Sequence, residues 1–159
     1  MTYYITKSTR GDLDAVVDAV AARVIDASEQ KDFGVLTEID VAKTLQTKLV
    51  LDFPNYRVLG GCNPTFAHQV LTLESRIGVM LPCKVIVRDQ GDGGVEVSAI
   101  DPRGPMQQVG NPALGAIADE VAARFKRGVA SDRYFGAKRA DRGVCRWWPE
   151  SERLISAPE

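Results

Sequence analysis

The chain has 159 residues, 45% of them apolar and 26% charged, an ordinary globular balance that suits one domain of about this size. Its 20 basic and 21 acidic side chains leave a formal charge of -1, so no global field draws it to nucleic acid or to a membrane surface. No apolar run approaches the roughly 20 residues that span a bilayer. No basic segment followed by an apolar one opens the chain, so a cytoplasmic protein is expected.

Tyr3 to Lys7 is rich in β-formers and predicts a first strand. From Asp12 the period changes. Leu13, Val16, Val17, Val20, Val24 and Ile25 recur at helical spacing, with Asp12 or Thr9 as cap and an end near Ser28 to Lys31. Phe33 to Ile39 reads as a second strand with Phe33, Val35, Thr37 and Ile39 on one face. A short helix follows over Val41 to Leu49, with Ala42, Leu45 and Leu49 expected inward. Pro54-Asn55 turns the chain into a third strand, Tyr56 to Gly61. Asn63-Pro64 then starts a helix. Asn is a favoured N-cap, and proline fits the first helical position, where its missing N–H has no partner to lose. Phe66, Ala67, Val70 and Leu71 are its expected buried face.

A short apolar run, Ile77 to Leu81, is stopped by Pro82, and Cys83 to Asp89 alternates as a fourth strand. Gln90 to Gly94 has hairpin chemistry, because its glycines take positive φ without steric cost. Val95 to Ile100 returns as the fifth strand, and Asp101 to Gly110 is expected to be a loop. A second cap-and-proline start at Asn111-Pro112 opens the clearest helical stripe of the chain, Leu114, Ile117, Ala118, Val121, Ala122 and Phe125, with Gly128 as its C-cap. The elements define an α+β domain over residues 1–130. Residues 131–159 lose periodicity and form a basic-aromatic C-terminal extension with Tyr134, Phe135, Trp147 and Trp148. Its aromatic load predicts docking on a surface, its own domain or a dimer mate before a nucleic acid.

The chemistry-bearing candidates are few. The three cysteines, Cys62, Cys83 and Cys145, are odd in number and widely spaced, which argues against a secreted disulfide framework. Cys62 follows Gly60-Gly61 and precedes the capped helix at Asn63, where a helix dipole and free amides lower a thiol pKa. Gly60 and Gly61 let a backbone come close to a ligand, and the turn could also hold an anion, though no P-loop lysine accompanies it. The helix after Pro64 and the return through Pro82 are long enough to bring Cys83 back to Cys62. Contact is permitted and not required. Free cysteines also pack as small hydrophobes, so a buried structural pair stands beside a thiol or ligand site built on Gly61, Cys62, Asn63 and Cys83. His68 is the single histidine, and its position on the helix favours a boundary or solvent place. Cys62, Cys83 and His68 would together be a chemically sensible ligand set for zinc, copper or haem iron. No Ser–His–Asp arrangement and no carboxylate pair for acid–base work is apparent.

The stretches GGCNPTFAHQVL, IGVMLPCKVIVRDQGDGGVEVSAIDP and NPALGAIADEV resemble the bacterial and archaeal proteins of the domain of unknown function 302 family. The resemblance covers about Tyr3 to Ala130. Its most specific parts are Gly61-Cys62-Asn63-Pro64 and Leu81-Pro82-Cys83, followed by Asp101-Pro102. It implies a two-layer α+β sandwich, a mainly antiparallel twisted sheet with helices packed on it, and it allows a homodimer. It implies no activity, and nothing carries over to the extension. Two functions stand open: a thiol-centred role in redox sensing, sulfur handling, or metal or haem ligation at Cys62 and Cys83, and a non-catalytic binding or assembly module whose cysteines are structural.

Overall fold

A computed structural model describes residues 2–26 and 34–130. The order is β1 (Tyr4–Arg10), α1 (Leu13–Asp26), β2 (Gly34–Asp40), α2 (Val41–Leu49), β3 (Tyr56–Cys62), α3 (Pro64–Leu73), a 3₁₀ turn (Ser75–Met80), β4 (Cys83–Asp89), β5 (Gly94–Ile100), α4 (Arg103–Gln108) and α5 (Leu114–Ala130). The five strands form one sheet in the order β1-β5-β4-β3-β2, with every neighbouring pair antiparallel. This is the expected α+β architecture. Phe33 and the extension 131–159, with Cys145 and both tryptophans, lie outside the described residues.

The local signals explain most boundaries. Asp12 caps α1, its Oδ1 accepting from the Ala15 amide at 3.0 Å, and Asn63 caps α3 in the same way from Phe66 at 2.8 Å. Gly91 and Gly93 carry positive φ, 85° and 76°, in the β4–β5 turn, which is why that turn needs glycine. The Leu81–Pro82 peptide is cis.

One face of the sheet carries the core. Leu59, Val85, Val87, Val97 and Ala99 lie on that face and pack against Val16, Val17 and Val20 of α1 and Val121, Phe125 and Val129 of α5. A second, smaller cluster joins Val70 of α3, Ile77, Met106 of α4, and Leu114 and Ala118 of α5. Arg57, on the same face, reaches Asp14 of α1 at 3.3 Å and Glu38 and Asp40 of β2 at 3.5 and 2.6 Å, and so ties three elements together. On the opposite face Tyr4, Thr6 and Ile39 are exposed, Val58 and Ile86 are half-buried, and Arg88 pairs with Glu96 at 3.0 Å.

Five expectations are corrected. The register shift in β2 turns Val35 toward the core and Thr37 and Ile39 to the other face, so they do not share one. Leu71, expected inward on α3, is 40% exposed. Asp101 to Gly110 is not a loop throughout: it holds α4. The Asp101 carboxylate accepts from the Arg103 amide at 3.1 Å and grips the Arg103 guanidinium, which starts that helix without a Ser, Thr or Asn at its cap. Gly128 is not a C-cap, because α5 runs through it to Ala130. α2 has the predicted bounds but buries nothing. Leu49 is 59% exposed, and Leu45 and Ala42 are only half-buried. Its stripe has the right period, but β3, the element it approaches, covers it only in part.

Candidate functional site

β3 and β4 bring the two cysteine blocks to one end of the sheet. Gly61 stands directly opposite Cys83 in the antiparallel ladder, so Cys62 is the diagonal neighbour of Cys83. Strict alternation along a strand would turn Cys62 to the other side of the pleat from Cys83. β3 ends at Cys62, however, and the chain turns there into α3 through the Asn63 cap. Both cysteines line one cavity of about 20 Å³, closed by Phe66 and Val70 of α3, Met106 of α4 and Val121 of α5. That volume is about one water molecule, and the walls are largely apolar.

Both thiols are free. Cys83 is 8% exposed and belongs to the main core. Burial pushes its thiol up to about 11, the neighbouring Cys62 adds to the rise, and Lys84 opposes it. Burial also raises Cys62, whose Sγ lies 3.7 Å from the Asn63 carbonyl oxygen. The helix start was expected to lower this thiol. Desolvation is the larger effect here, because the side chain is half-buried in apolar surroundings and Pro64 supplies no amide. Burial thus favours the neutral thiol in both groups, which makes them poor nucleophiles.

Asn63 is 3% exposed and is spent on its capping bond. Gly60 shows why its neighbourhood is glycine-rich. A Cβ there would run into Thr37 Oγ1 of β2 and Pro82 Cγ, so the close approach is to the protein's own chain rather than to a ligand. His68 is exposed on α3 and does not line the cysteine cavity. The set Cys62, Cys83 and His68 is thus not assembled. Among the described residues no group of three or more His, Cys, Asp or Glu side chains is placed to hold a metal ion. Met106 and Val121 line the cavity as well, and neither stands out in the sequence as a site residue. Val121 was legible as part of a helical stripe, whereas Met106 lies on α4, where no helix was expected.

A groove of about 270 Å³ runs between α4 and α5 past Arg103, Gln107, Asn111 and Asp119. Its guanidinium is held by Asp101 at 2.6 Å, and Asn111 is engaged in starting α5 through the Ala113 amide at 3.0 Å. Among the described residues no buried side-chain nitrogen or oxygen lacks a partner.

Fold and site together define a two-layer α+β domain with one helical layer on an antiparallel sheet and a cysteine from each of two adjoining strands at a small apolar cavity. The family model described as "Domain of unknown function DUF302" matches residues 6–131, and the chain belongs to that family. A solved relative, described as an uncharacterized conserved DUF302 protein from Bacillus stearothermophilus, is 28% identical. The match covers 81% of this chain and 97% of that one, with a TM-score of 0.70. No curated protein matches. Among the described residues no helix is long and apolar enough to cross a membrane.

Proposed function

We propose that this chain is a non-catalytic binding or assembly module, which works through its surface and keeps Cys62 and Cys83 as packing thiols. One observation carries the reading. The cavity between the cysteines has room for about one water, too little for a substrate. The raised thiols agree with it, since a nucleophilic cysteine needs the thiolate at working pH. Two cysteines left unpaired also agree with a reducing, cytoplasmic setting. The test is thiol reactivity toward an aromatic disulfide reagent at neutral pH, with Cys145→Ser as background. Cys83 should react only as fast as the protein unfolds, and Cys62 slowly. Two fast-reacting thiols, or one metal per chain lost on Cys62→Ser, would overturn the proposal.

A second reading is favoured by the arrival of both cysteines at the same cavity. Here the pair is a dithiol for redox sensing, sulfur handling, or metal or haem ligation. Oxidation by a small disulfide would begin at the less buried Cys62. Its thiolate would take one sulfur of the reagent and release one small thiolate, and Cys83 would then displace the second. The protein would lose two hydrogens and the reagent would leave as two thiols. A mass loss of two hydrogens, mapped to a peptide joining Cys62 to Cys83, distinguishes this reading from the first.

A further inference from the structure

The groove between α4 and α5 belongs neither to the main core nor to the cysteine cavity, and it holds about 270 Å³. Pockets for drug-sized ligands start at roughly 300 Å³, so this groove suits a smaller molecule.

Its walls carry opposite charges that do not meet. Arg103 of α4 and Asp119 of α5 both line it. Among the described residues no ion pair joins the two. The buried Asp101 carboxylate holds Arg103 instead, accepting from its Nε at 2.9 Å and its Nη2 at 2.6 Å. Those bonds take one edge of the planar guanidinium. The Nη1 edge keeps its donors, and such an edge fits a carboxylate with two parallel bonds. Because Asp101 already fixes the side chain, a ligand that binds there costs it little rotamer freedom. The hydrogen bond to Asp101 raises Arg103 above its ordinary pKa, and Asp119 adds to the rise through space.

The remaining lining leaves room and further polar contacts. The Asp119 carboxylate has no hydrogen bond or ion pair among the described residues. The amide of Gln107, one turn along α4 from Arg103, is equally without a partner there. Between them Gly115 and Ala118 present small surfaces. A Cβ built on Gly115 would meet nothing within 4 Å, so the space over it is open.

We propose that this groove binds a small zwitterion of the amino-acid type, its carboxylate on the free edge of Arg103 and its ammonium at Asp119. Asp119 opposes a lone anion and Arg103 opposes a lone cation, whereas a ligand with both charges satisfies both walls. The inference deepens the reading of the chain as a binding module and rests on it.

Amide shifts of the isotopically labelled full chain, titrated with each free L-amino acid in turn, test the proposal. At least one amino acid should give saturable shifts at Gln107, Gly115 and Asp119. Acetate and methylammonium, each bearing one of the two charges, should give none at the same concentration. Asp119→Asn should weaken the binding at least about tenfold, since a hydrogen bond to a charged group is lost. Gly115→Leu fills the groove with a better helix former and should abolish binding. Both variants should keep the dispersed spectrum of the folded chain, because Asp119 is exposed and Gly115 faces open space. Asp52→Asn, at an exposed position after α2, should bind as the unaltered chain does. The absence of saturable shifts with any amino acid overturns the proposal, as does binding that both groove variants leave unmoved. Shifts that acetate reproduces at equal strength overturn it too, and would leave only an anion at Arg103. A silent groove beside inert thiols removes this inference alone, whereas fast-reacting thiols strike the module reading whatever the groove does.

Discussion

Cys83 illustrates how a single side chain can look functional in sequence and be read differently from its surroundings. It was legible as a candidate because Pro82 and a strand start set it apart, and its return toward Cys62 followed from counting residues. What the residues could not supply was the dielectric around it, which depends on Phe66, Met106 and Val121 from three separate helices. Those walls raise the thiol from 9.0 to about 11. A raised folded pKa means that the native state holds the proton more tightly than the unfolded chain does. The resulting stability is fully present below pH 9, where both states are protonated, and is lost as pH rises toward 11. A two-unit displacement corresponds to about 2 to 3 kcal/mol at most. Comparing urea midpoints at pH 8 and pH 11, the unaltered protein should lose more stability than Cys83→Ala by about this amount. Cys83→Ala should start lower at pH 8, through lost packing. Equal losses in both proteins would mean that Cys83 is open to water.

The elements follow their local signals closely where a cap, a turn glycine or a stripe is present, and depart from them where tertiary context decides. Asn63 and Pro64 announced α3, and the glycines of Gln90 to Gly94 announced the hairpin. α4 was not legible because its start is made by an ion pair between a buried Asp101 and a partly exposed Arg103. Asp101, 4% exposed, grips the Arg103 side chain and accepts from the Arg103 amide with the same carboxylate, and the sequence offers only Asp-Pro as a hint. The hydrogen bond from Arg103 holds the Asp101 carboxyl below the usual range. A depressed carboxylate stabilises the fold above its unfolded pKa near 3.8 and ceases to do so as pH falls through its lower folded value. Asp101→Asn should therefore destabilise the protein at pH 7 and flatten the acid limb of its stability below about pH 4, read from thermal midpoints across the pH range. α2 presents the converse case. Its bounds were legible, with Asp40 capping through the Lys43 amide at 2.8 Å, but its stripe misled because period alone cannot say whether anything lies opposite. Its end carries strain: Val50 sits at φ 54°, a left-handed conformation that a β-branched residue tolerates poorly. Val50→Gly should raise stability by up to about 1 kcal/mol, since relief of that strain outweighs the added freedom of the unfolded chain. A lower thermal midpoint would contradict this.

At the scale of the molecule, burial is concentrated between α1, α5 and the middle of the sheet, and falls away toward β2 and α2. Val87, Val97 and Leu114 are at most 1% exposed, and burying each such side chain contributes roughly 1.5 to 3 kcal/mol before entropy is counted. β5 and β4 each have a strand on both sides, so their ladder bonds open only when the sheet opens. α2 has no buried residue, and its helix is too short to stand alone in water. Its hydrogen bonds can break without disturbing the core. β2 is an edge strand with a register shift between Val35 and Thr37, which leaves it fewer regular partners than β3. These facts order the opening free energies: α2 lowest, β2 above it, β4 and β5 at the global value. Native-state hydrogen exchange should follow that order. Low concentrations of denaturant should leave α2 exchange unchanged, because its opening exposes little surface, and should speed exchange in β4 and β5 with the full unfolding slope. Exchange of α2 amides as slow as those of β4 would mean that α2 is held against something in solution, and would identify it as a docked element of the assembled protein.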